Sequence, residues 1–307
     1  MSGGVPLDAR IRLFVKGLTP PYLWRPLKWV KDGLRGQRKA EPEPEPHPAE
    51  PEQPSEWEFV PEGWARPAKG WDVASVAQAY LDTWPSYVEA LSGPGPLGIE
   101  HGVPLGQPVD RHDRAAHNTI VSYGYVAALA GRGAERLSIL DWGGGLAHYE
   151  PLTRALLPGV DLEFHCKELP ALVELGRSVS PHVRFHDDES CLQRRYDLVL
   201  ASSSLQYADD WPRLLAALGE ATAGYLFVTR LPVALRASSF VVLQRAYRYG
   251  YETEYLGWVV SREELLREAA SARLELVREF LLSAWFSAPG APEDPVEHRG
   301  YLFRNGS

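Results

Sequence analysis

The sequence predicts an α/β chain built on a doubly wound, largely parallel sheet, and three observations carry that reading. From Leu137 onward, short apolar runs alternate with helical patterns, as strands do when crossover helices cover both faces of a sheet. The first run ends in Asp141 and passes at once into Gly143, Gly144 and Gly145. Two late apolar runs, Leu274 to Leu282 and Tyr301 to Phe303, have the spacing of a closing antiparallel hairpin.

The chain has 307 residues, 45% of them hydrophobic and 23% charged, enough to bury one large core or two modest ones. Its net charge is −8, from 32 Lys and Arg against 40 Asp and Glu. That balance argues against a nucleic-acid partner, because neutralising phosphates needs clustered positive charge. Residues 1–39 nevertheless hold nine Lys or Arg against two Asp, and residues 40–58 hold seven Glu and no Lys or Arg. Only Cys166 and Cys191 occur, and the N-terminus lacks a secretory apolar segment, so a reducing cytoplasmic setting is expected. No apolar run approaches the roughly 20 residues that cross a bilayer.

The elements follow in order. Residues 1–39 form a basic amphipathic segment broken at Thr19-Pro20-Pro21, with Ile11, Phe14, Val15 and Leu18 on one helical face and Leu23, Leu27, Val30 and Leu34 on the next. Arg25, Lys28, Lys31 and Arg35 project from another face. Peripheral membrane contact through residues 10–35 fits this pattern, and so does a helix docked on the protein's own body. Residues 40–58 are a Glu/Pro-rich linker, extended and self-repelling. Residues 59–133 read as a helical cap and substrate region, with helices starting near Val73 and His117 around a Pro-rich loop from Gly93 to Asp110. Residues 134–307 form the main domain. Its expected strands are Leu137 to Trp142, Leu162 to Glu168, Val183 to Asp187, Tyr196 to Ser202 and Tyr225 to Arg230. Helices fit at Ala171 to Val179 and Trp211 to Ala221, and Ser261-Arg262-Glu263-Glu264 reads as a capping box.

The glycines after Asp141 let backbone approach a ligand at the carboxyl edge of the sheet. The dinucleotide fingerprint fails, since its sixth position from Gly143 is His148, and no P-loop Lys follows. Glu168 ends the second strand, where a carboxylate can accept bonds from ribose hydroxyls. Asp187 and Asp188 follow the third, where a carboxylate can bond an adenine amino group. Acidic strand ends around a glycine turn suit a cationic sulfonium better than a pyrophosphate, so the inferred cofactor is S-adenosyl-L-methionine, leaving as S-adenosyl-L-homocysteine. No metal site is expected.

With these residues in view the chain resembles class I S-adenosylmethionine-dependent methyltransferases. It resembles more narrowly a bacterial family that shares an Asp-aromatic-Gly-Gly-Gly-Leu-Gly turn, a Glu-x-Pro, a Ser-x-Leu-Gln-Tyr and an Arg-x-Pro. These stand here as Asp141 to Ala147, Glu168 to Pro170, Ser203 to Tyr207 and Arg230 to Pro232. Ala147 replaces the family's Gly, and Cys166-Lys167 stands where aliphatic residues are usual. The resemblance implies a Rossmann-like sheet of about seven strands with a terminal antiparallel hairpin, and it associates the acceptor only loosely with surface glycans and secondary metabolites; a small-molecule acceptor is expected. On it, Asp141 holds the glycine turn or the methionine amino group, Gly143 to Gly145 face the methionine portion, and Leu169 follows the ribose carboxylate. Ser202, Ser203 and Leu205 border the methyl group, and Gln206 is a substrate contact, while Arg230 and the run Tyr247 to Tyr255 either contact an anionic or sugar acceptor or cover the sheet edge. His148, His117 and Asp113 are the expected bases and Tyr207 the orienting hydroxyl. O-methylation of a sugar or other hydroxyl is preferred. A catalytically silent binding scaffold and an NAD or nucleotide-sugar oxidoreductase are the alternatives, and the sequence leaves the oligomeric state open.

Overall fold

A computed structural model describes residues 55–306 except 100, 101, 103, 105, 106, 108 and 109. The basic segment, most of the linker and much of the Pro-rich loop therefore lie outside the described residues. The central strands are β2 (Arg136–Trp142), β3 (Asp161–Lys167), β4 (Arg184–His186), β5 (Tyr196–Ser202) and β6 (Thr222–Ala234). They run parallel in the spatial order β4, β3, β2, β5, β6. The order reverses between β2 and β5, which places a ligand crevice beyond their carboxyl ends. The chain closes with β9 (Leu274–Phe286) and β10 (Val296–Asn305), β10 lying antiparallel between β6 and β9. These seven strands are the sheet expected from the sequence.

Three further strands were not anticipated. β1 (Trp57–Val60), β7 (Phe240–Arg245) and β8 (Glu254–Ser261) form an antiparallel wing. β8 joins the far end of β6 through Val233 and Ala234. The wing exists because β6 runs for 13 residues, well past the expected end at Arg230. β1 begins inside the segment read as linker, since Trp57 stacks on Phe286 and Phe59 packs edge-on against Phe240.

Alternation in the central strands assigns side chains to two layers. Leu137, Ile139, Leu198 and Leu200 enter one core cluster, while Leu140, Val199 and Ala201 enter the other. With both faces covered, the strands read as continuous apolar runs. The first cluster is closed by α1 (Ala74–Ala90), α2 (Arg114–Ala130), α3 (Tyr149–Leu156) and α4 (Pro170–Val179), and the second by α5 (Trp211–Glu220) and α6 (Arg262–Ser271). Local chemistry sets several helix starts. Pro170 occupies the first turn of α4, and Asp210 caps α5 by accepting from Arg213 N. The expected capping box at α6 does not form. The Ser261 side chain makes no cap bond, and the Glu264 carboxylate instead accepts from Ser239. No helix among the described residues is long and apolar enough to cross a membrane.

Candidate active site

A cavity of about 510 Å³ opens at the carboxyl ends of β2, β5 and β6, within the usual size for a small-molecule site. Asp141, Gly143, Gly144, Gly145, Ser202, Ser203, Tyr207, Arg230 and Asp113 all line it, so most of the expected constellation converges. The turn after β2 is built for glycine. Gly143 has φ +70 and donates to Lys167 O at 2.9 Å. A Cβ on Gly143 would lie 2.6 Å from Ser204 Cβ, and one on Gly144 would lie 2.3 Å from Asp141 Oδ2. Asp141 is thus packed directly beneath the turn, fully buried, and neither carboxylate oxygen has a hydrogen-bond partner. Burial, and then the nearby Glu168 charge, push its pKa well above the ordinary carboxylate value.

Glu168 is drawn to the same turn. One oxygen accepts from Gly145 N at 3.0 Å and the other from Leu169 N at 2.7 Å. Burial raises its pKa and these two bonds oppose the shift. Neither Glu168 nor Leu169 lines the cavity. Asp187 and Asp188 are exposed and outside the lining, with Asp188 capping the short helical turn at Ser190. Leu205 belongs to the second core cluster. Gln206 is buried behind the wall and donates to Ser203 Oγ at 3.0 Å.

The expected bases separate. His148 is buried outside the cavity lining, its ring centroid 5.0 to 5.4 Å from those of Tyr80, Trp84 and Tyr87. Burial pushes its pKa down to about 4. His117 is exposed and also off the cavity. Asp113 reaches the lining, yet its carboxylate is occupied as the α2 N-cap, accepting from Ala116 N at 2.7 Å. On the opposite wall, sequence reasoning reached the run Tyr247 to Tyr255 but missed Trp71. Trp71, Tyr251 and Tyr255 line that wall with Tyr207, and Trp71 stacks on Tyr255 at 3.9 Å. Tyr207 donates to Gln244 Oε1 at 3.3 Å, and Gln244 in turn donates to Glu56 at 3.2 Å. β9 and β10 add Leu282 to Phe286 and His298. Trp71 lies in a Gly-Trp-Asp at 70–72, which nothing local in the sequence ties to β8.

A family model described as "Methyltransferase domain" matches residues 114–279, more than half of the chain. The chain belongs to the methyltransferase-domain family. Its fold and family agree with the S-adenosylmethionine cofactor expected from the sequence. No curated protein matches the sequence. Among solved structures, an amino pentose methyltransferase from Micromonospora echinaspora is 17% identical with a TM-score of 0.42, covering 62% of this chain and 91% of that one. A magnesium protoporphyrin IX methyltransferase from Synechocystis is 11% identical with a TM-score of 0.43, over 75% and 98%. A 1,6-didemethyltoxoflavin-N1-methyltransferase from Burkholderia thailandensis is 15% identical with a TM-score of 0.38, over 67% and 95%.

Proposed function

We propose that the protein is an S-adenosylmethionine-dependent methyltransferase that methylates a hydroxyl of a small molecule, a sugar or another hydroxyl-bearing metabolite. The observation that carries this is Asp141, a buried carboxylate with two unpartnered oxygens at a glycine turn in the cavity wall. A buried carboxylate left unsatisfied is costly unless a ligand completes it, and the methionine ammonium group has the charge and donors to do so. The fit extends along the turn, where the backbone of Gly143 to Gly145 lines the same cavity.

S-adenosylmethionine, when bound, supplies a methyl carbon already activated by its sulfonium. The chain's own task is then to position the acceptor and accept its proton. Tyr207 suits positioning. Burial raises its pKa, so it stays protonated and donates, and its bond to Gln244 fixes the ring. The aromatic wall of Trp71, Tyr251 and Tyr255 offers flat apolar surface to a ring or a sugar face. Arg230, at φ +54 on β6, brings a positive charge to the acceptor side.

Calorimetric titration with S-adenosylhomocysteine and with NAD tests the reading. Micromolar binding of the first and none of the second is expected. No binding of S-adenosylhomocysteine at millimolar concentration overturns it.

A further inference from the structure

His298 has no part in the roles above. His298 lines the wall from β10, and its Nδ1 is buried with no hydrogen-bond partner. The strand register explains its place. His298 lies opposite Pro232 on β6, two residues past Arg230, while Ser202 at the end of β5 is level with Thr229. The ring therefore stands beside the carboxyl end of β6, which separates it from Ser202 and Ser203 at the end of β5. Phe286 flanks it at 5.4 Å between centroids, Arg230 on β6 is the charge acting on it, and Asp113 from α2 shares the cavity.

Burial and then the Arg230 charge push this imidazole down to about 4, while a hydrogen bond to the Ala284 backbone acts the other way. The ring is neutral at pH 7, so one nitrogen carries the proton and the other a lone pair. Nδ1, which has no partner, is the nitrogen left to hold the lone pair. A purely structural buried histidine normally has both nitrogens satisfied; this one has a nitrogen without a partner on a ring that lines the cavity.

Resting on the hydroxyl-methylation reading, we infer that His298 is the general base that takes the acceptor's hydroxyl proton through Nδ1. The acceptor O–H bond breaks as the oxygen–methyl bond forms, and the proton passes to Nδ1. The carbon–sulfur bond breaks with its electron pair staying on sulfur, which leaves neutral S-adenosylhomocysteine. The imidazolium, disfavoured beside Arg230, then gives its proton to water.

Histidine-labelled NMR of the full chain tests this without any acceptor. The resonance that disappears in His298→Gln should titrate near pH 4 and show an unprotonated Nδ1 at pH 7; a protonated Nδ1 there overturns the assignment. Methyl transfer from radiolabelled S-adenosylmethionine is then followed with phenol, methyl α-D-glucopyranoside and thiophenol, the last already a thiolate at neutral pH. His298→Gln should lower hydroxyl methylation by about 100-fold or more. It should abolish the pH dependence of the hydroxyl reaction and leave thiophenol methylation and S-adenosylhomocysteine affinity unchanged. Undiminished hydroxyl methylation in the variant overturns the base alone. A wild-type protein that methylates neither hydroxyl probe overturns the base and the hydroxyl preference together, and retained S-adenosylhomocysteine binding would leave the methyltransferase reading standing.

Discussion

Asp141 and Glu163 are buried carboxylates on adjacent parallel strands, near opposite ends of the sheet, and their surroundings are opposite in kind. Glu163, near the start of β3, accepts from Arg136 at 2.6 Å, Arg184 at 2.5 Å, Arg194 at 2.7 Å and His165 at 3.2 Å. The bond from Arg194 leads in holding its pKa down to about 2. Asp141, at the carboxyl end of β2, has no partner and a raised pKa. A carboxylate that serves the fold is satisfied in place, whereas one that serves a ligand is left for the ligand to complete.

Ligand affinity should separate the two most sharply. Asp141→Ala removes charge-assisted bonds of about 1.5–3 kcal/mol, so S-adenosylhomocysteine should bind about 10- to 100-fold more weakly. Glu163→Ala should leave that affinity unchanged. Gly144→Ala should resemble Asp141→Ala, because the new Cβ would displace the Asp141 carboxylate. Calorimetry on the three variants decides the matter, and equal losses at Asp141 and Glu163 would break the distinction.

Stability should divide them the other way. Glu163→Gln leaves three guanidinium groups without their anion. Their side chains are 61%, 60% and 42% exposed, so solvent screening reduces the loss to about 1–2 kcal/mol. Asp141→Asn keeps the shape and removes a buried charge, and should leave stability unchanged or raise it by about 1 kcal/mol. Urea denaturation at neutral pH measures both.

The pH dependences should have opposite signs. The folded pKa of Glu163 is depressed, so its contribution is complete above the unfolded value of 4.5 and is lost as pH falls toward about 2. Glu163→Gln should flatten that acid limb. The folded pKa of Asp141 is raised above its unfolded value of 3.8, so the folded state binds the proton more tightly and stability falls as pH rises from there. Asp141→Asn should therefore gain on the wild type with rising pH. Unfolding midpoints measured from pH 2 to 7 check both slopes.

The same contrast explains what the sequence disclosed. The donor side of the proposed site was legible because Asp141 and the glycines fall within one strand–turn–helix unit and Glu168 follows the next parallel strand, all inside one β–α–β unit. The acceptor side was legible only in part: Tyr207 and Arg230 stand in local motifs, but Trp71, Tyr207 and Tyr255 meet only once β8 joins the extended end of β6. His298 depends on β10 inserting between β6 and β9, and no spacing along the chain announces that pairing. His148 lies off the cavity lining for a related reason. Its position just past the turn suggested access, but α1 closes over it with Tyr80, Trp84 and Tyr87.

Backbone strain also collects at the ligand end. Of the non-glycine residues with positive φ, Ser203, Arg230 and Ser283 line the cavity, and Ala147 sits in the turn beside it. Ala147, at φ +67 and fully buried, stands where the resembled family has glycine. Its left-handed conformation costs about 1–2 kcal/mol. Ala147→Gly relieves that, but it gives up a buried methyl of about 0.8 kcal/mol and adds about 0.5–1 kcal/mol of chain entropy to the unfolded state. These terms cancel, so the variant should unfold within about 0.5 kcal/mol of the wild type and bind S-adenosylhomocysteine equally well. A large gain in stability would mean that Ala147 stores strain for the site; a large loss would mean that its methyl, rather than its backbone, is what the turn requires.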